Sequence, residues 1–69
     1  MKINDLKNYN NQELRNIKKL LDYDILDLLP EKIKDFILTE NPLTGNVITR
    51  TIRIKTLINQ EIVIRFMNI

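Results

Sequence analysis

Cysteine and histidine are absent from this chain of 69 residues, and so is serine. Their absence removes the usual nucleophiles and the usual general base together. Thr, Tyr, Lys and the carboxylates remain, and no spacing among them pairs a nucleophile with a base. A domain this small also has little room for a concave pocket of ordinary volume. Without thiolate or imidazole, any metal would have to be a hard cation on carboxylates and carbonyls. Asp22, Asp24 and Asp27 are the one acidic cluster to consider. A calcium loop needs a glycine turn and a terminal bidentate acid at fixed offsets, and neither is present. The three acids read instead as the solvated side of a helix. No catalytic residue, metal site or cofactor is expected.

Charge recognition is the chemistry left. Residues 1–45 carry seven basic and eight acidic side chains, and residues 46–69 carry four and one, so the two parts sum to −1 and +3 within a net charge of +2. The basic excess is Arg50, Arg53, Lys55 and Arg65, against the single acid Glu61. With the neighbouring Val63 and Met67, these basic residues form the candidate partner-binding set.

The elements that would position them follow from spacing. Asn10 with Glu13 has the offset of a capping box, with Asn in place of Ser or Thr, so a helix starts at Asn11 after a polar lead-in over residues 1–10. Leu14, Ile17, Leu21, Ile25 and Leu28 recur at intervals of three and four, a stripe about 80° wide at 100° per residue. One amphipathic helix over 11–29 fits them. Pro30 lacks the donor that continuation needs. Over 33–40, Leu29, Ile33, Phe36 and Ile37 suit a second helix, whereas Phe36-Ile37-Leu38-Thr39 suits a strand. Asn41-Pro42-Leu43-Thr44-Gly45 then has the composition of a hairpin turn closed by a residue of positive φ, which favours the strand.

From Asn46 to the end, apolar and polar residues alternate at the strand period. Strands over 46–57 and 61–68, joined by Ile58, Asn59 and Gln60, pair Ile54 with Ile64, Ile52 with Phe66 and Thr56 with Ile62 on one face. That register assigns Ile52, Ile54, Ile62, Ile64 and Phe66 to the core. It puts Arg53 beside Arg65 on the outer face, with Lys55, Val63 and Met67, and places Asp35 opposite Thr51 as a candidate neutraliser. Arg50 falls opposite Phe36 on the core side. The expected fold is α+β, one long amphipathic helix on a three-stranded antiparallel meander (αβββ), in a single small domain. The alternative is two helices plus a C-terminal β-hairpin.

Such a core is near the size at which one domain barely offsets its chain entropy, so self-association is a live expectation. Ile, Lys and Asn dominate while Ala is absent, a bias of AT-rich codons. No signal peptide or membrane-spanning run is apparent, so a cytoplasmic location, in its own cell or a host's, is expected. Directly opposed Arg53 and Arg65 would repel, and a partner could neutralise them; the competing reading is a solvated, solubilising face. Nucleic acid is a weaker partner than protein, because the basic footprint is small and the open face offers no aromatic for base stacking. The functional expectation is a small non-catalytic accessory protein, of phage or mobile-element type, that binds and inhibits or modulates a larger host protein. The alternative is a basic β-ribbon that binds nucleic acid or regulates transcription.

Overall fold

The computed structural model describes residues 3–38 and 45–68, with the backbone alone for residues 3–5. A 3₁₀ helix, Ile3–Asn8, leads into α1 (Asn11–Asp22), α2 (Glu31–Leu38) and α3 (Val47–Met67). Among the described residues there is no strand. The fold is helical, and the expected meander does not exist; nor does the C-terminal hairpin of the alternative, although its second helix does.

The start of α1 is where the capping box places it. The Asn10 side chain accepts from the Glu13 amide at 2.8 Å, and Glu13 Oε1 accepts from the Asn10 amide at 2.9 Å, satisfying two donors that a helix start leaves open. Leu14, Ile17 and Leu21 are buried from the predicted stripe. The helix ends at Asp22 and not at Leu29, because Asp24 turns left-handed at φ 56°. The amide of Asp24 bonds to the Leu21 carbonyl and that of Ile25 to Leu20, at 3.2 and 2.8 Å. This is a Schellman ending with Asp where glycine is usual. Ile25 and Leu28 consequently leave the stripe and are exposed.

Pro30 begins a helix and does not merely stop one: its carbonyl accepts from Ile33 and Lys34 at 3.1 and 2.9 Å. Proline suits that entry, where an amide would lack an intrahelical acceptor. α2 then buries Ile33 and Ile37, so the described part of 33–40 is helix and not strand. Residues 39–44, which hold most of the proposed hairpin turn, lie outside the described residues. Gly45 does have the positive φ expected of it, 85°, but it introduces α3. A Cβ there would come within 3.0 Å of the Thr49 side chain.

α3 replaces both C-terminal strands. Asn46 caps it, accepting from the Thr49 amide at 2.9 Å, a contact worth about 1 kcal/mol. Its inward residues are Arg50, Ile54, Ile58 and Glu61, spaced by four, four and three as one helix face requires. Of the five residues assigned to a sheet core, Ile54 is buried and Ile62 partly so, whereas Ile52, Ile64 and Phe66 are exposed. Ile58, placed in a turn by the hairpin register, is fully buried. It joins Leu6, Leu14, Ile17, Leu21, Leu29, Ile33, Ile37 and Ile54 in one cluster, and burying each such side chain contributes about 1.5–3 kcal/mol.

The helix and the hairpin give opposite mutational orders. Ile58→Ala should cost about 2–5 kcal/mol in urea unfolding, and Ile64→Ala less than about 1 kcal/mol. The reverse order would restore the hairpin.

Candidate interaction surface

The helix distributes the predicted basic set to different places. Arg50 is 3% exposed. Its Nε donates to the Ile37 carbonyl at 2.9 Å and an Nη donates to the Gly45 carbonyl. The first acceptor lies in the last turn of α2, where carbonyls lack intrahelical donors and a cation complements the helix dipole. Arg65 donates from Nε to Glu61 Oε1 at 3.1 Å, to Asn11 Oδ1 at 3.0 Å and to the Leu6 carbonyl at 3.1 Å. Glu61, 5% exposed, thus has its charge answered one turn along its own helix. Lys55 pairs with Asp22 of α1 at 3.1 Å, half in solvent, where such a pair contributes about 0–1 kcal/mol.

Arg53 is exposed and has no ion pair with a described residue. It is not beside Arg65, because twelve residues of helix set them about 18 Å apart along the axis. The repelling pair expected on a sheet does not form, and neither does the register that set Asp35 against Thr51. Of the six predicted binding residues, only Arg53, Val63 and Met67 face solvent freely. Arg50 and Arg65 join elements, and Lys55 bridges to α1. No buried side-chain nitrogen or oxygen among the described residues lacks a hydrogen-bond partner.

Along the side of α3 opposite the core runs a different surface. Ile48, Ile52, Phe66 and Met67 are 70%, 57%, 75% and 76% exposed. Between them, Thr56, Asn59, Gln60, Val63 and Ile64 line a shallow groove. Three of these residues, Ile48, Ile52 and Phe66, escaped the candidate set because an alternating reading turns Ile52 and Phe66 inward. A helical projection at about 100° per residue separates them from Ile54 and Ile58. Among the described residues, eleven large hydrophobic side chains are exposed against nine buried, so apolar surface is left over on a scale that scattered single residues do not explain.

The groove on α3 measures about 420 Å³ but lies open along the helix; two others among the described residues, one beside Tyr9, Leu20 and Pro30 and one between Leu26 and Ile52, measure about 190 and 180 Å³, below the roughly 300 Å³ at which small-molecule sites begin. No cluster of three metal-ligating side chains occurs among the described residues, and no helix of the described residues is long and apolar enough to cross a membrane. Comparison with protein-family models, curated proteins and solved structures returns no match.

The two kinds of arginine are separable by stability. Arg50→Met strands two carbonyls and should cost about 2–4 kcal/mol, whereas Arg53→Met should stay within about 0.5 kcal/mol. Equal effects in urea unfolding would contradict the inward placement of Arg50.

Proposed function

We propose that this chain is a small non-catalytic accessory protein that works by binding protein, with the outward face of α3 as its contact surface. The observation that carries the reading is the composition of that face. Ile48, Ile52, Val63, Phe66 and Met67 are exposed along one 21-residue helix; Lys55, at the edge of this face, is paired with Asp22, and Arg53 is the one charge there without an ion pair to a described residue. Interface centres are likewise depleted in charge and enriched in aromatic residues and Met. An amphipathic helix presenting apolar anchors at such spacings is a recurrent recognition element.

The internal engagement of the basic residues weighs against the nucleic-acid alternative. Phosphate recognition needs free cations, and Arg50, Lys55 and Arg65 already have acceptors within the chain. The size and the AT-type composition suit an accessory protein of a phage or mobile element that modulates a larger host protein.

A photoreactive side chain tests the surface directly. Placed at Val63, it should give discrete protein adducts in cells, and placed at the exposed Arg15 of α1 it should give none. In parallel, fluorescence anisotropy with mixed-sequence DNA and RNA at low salt should show no binding. Adducts confined to nucleic acid, or binding that falls steeply with salt, would overturn the reading.

A further inference from the structure

We infer that the outward face of α3 is covered by the same face of a second copy of this chain, running antiparallel to it about a two-fold axis. The inference rests on the reading of that face as a protein interface and names its occupant in the free protein, so that a larger protein using the same face competes with the second copy. Thr49, Ile52, Thr56, Asn59, Val63 and Phe66 follow one another at alternating intervals of three and four. That is the repeat of a two-helix seam, and the seam lies on the side away from Ile54 and Ile58. It covers about 26 Å of helix at 1.5 Å per residue.

Its chemistry reads the same from either end. Apolar residues occupy both halves, Ile48 and Ile52 in one and Val63, Phe66 and Met67 in the other, and the polar pair Thr56 and Asn59 sits in the middle. A two-fold interface must be complementary to itself. With the axis between Leu57 and Ile58, Ile52 meets Val63 of the partner subunit, Ile48 meets the partner's Met67, Thr49 meets the partner's Phe66 and Thr56 meets the partner's Asn59. Every apolar half thus finds an apolar half, and hydroxyl finds amide.

Charge selects the same occupant and the same direction. In a parallel pairing the two Arg53 side chains would stand level and repel. In the antiparallel one Arg53 flanks the partner's Gln60, and the two arginines are offset by about 13 Å along the axis, beyond the Debye length of about 8–10 Å at physiological salt. Lys55 carries no unmatched charge to the seam, because Asp22 of its own chain answers it. An acidic partner protein would find a single free cation on this face. A second copy, by contrast, offers a face as sparing of charge as its own.

Light scattering should give twice the chain mass of 8.2 kDa. Ile52→Asp and Val63→Asp should each raise the dimer dissociation constant roughly a hundredfold, as removal of a central anchor does. Because the chain has no cysteine, a thiol can report direction. When Thr56→Cys and Asn59→Cys chains are mixed and oxidised, the mixed disulfide should form in preference to either homodisulfide. A wild-type chain that stays monomeric at high micromolar concentration would overturn the inference, as would Asn59→Cys homodisulfides forming fastest. If the chain is monomeric while photoadducts at Val63 join it to other proteins, the dimer fails and the protein-binding reading stands. If it is monomeric with no such adducts, both fail.

Discussion

A guanidinium can be buried only where acceptors replace the water it gives up, and Arg50 meets that condition with the carbonyls of Ile37 and Gly45. One acceptor belongs to the last turn of α2 and the other precedes the cap of α3, so the side chain joins both sides of the 38–45 connection. Fifteen residues along the same helix face, Arg65 does the corresponding work at the other end, holding the Leu6 carbonyl and the Asn11 side chain while Glu61 balances its charge. Ile54 and Ile58 fill the space between. α3 is thereby pinned at both ends by arginines and in the middle by aliphatics, and its rotation about its own axis is set. Its opposite face has no choice but solvent or a partner.

That arrangement explains which parts of the fold were legible in the sequence. The entry to α1 was, because Asn10 and Glu13 act locally, and so was the stripe Leu14, Ile17 and Leu21. Gly45 was legible as a residue of positive φ, though it introduces a helix and not a strand. The exit from α1 was not, since Asp24 adopts a left-handed conformation that composition assigns to glycine. α3 misled most. β-branched residues make up half of it, each a few tenths of a kcal/mol poorer than Ala in a helix, and its alternation matches the strand period over a long run. Helix wins through tertiary context, because only the 3.6-residue period brings Arg50, Ile54, Ile58, Glu61 and Arg65 to one side.

Two signals in the sequence favoured the helix. Residues 46–69 contain neither glycine nor proline, so a tight turn at Ile58, Asn59 and Gln60 would have lacked the usual residues for reversing the chain. Glu61 and Arg65 have the i,i+4 spacing and order of a helical ion pair. Both were outweighed because a period-two pattern counts every residue, whereas the helical stripe is recognised only when Arg50 and Glu61 are admitted as inward positions. Charged residues are rarely buried, and reading Arg50 and Arg65 as cations free for a partner, although the strand register already set Arg50 on the core side, is what turned two structural ties into an apparent binding face. The surface that replaced it, Ile48, Ile52, Val63, Phe66 and Met67 with Arg53 beside them, retains Arg53, Val63 and Met67 of that set.

The helical state of the C-terminal segment decides the rest, since both the inward arginines and the outward apolar face depend on it. Backbone Cα chemical shifts of the full chain in solution measure it residue by residue. Helical deviations should run without interruption from Val47 to Met67. Strand-type deviations on either side of a break at Ile58 to Gln60 would contradict it.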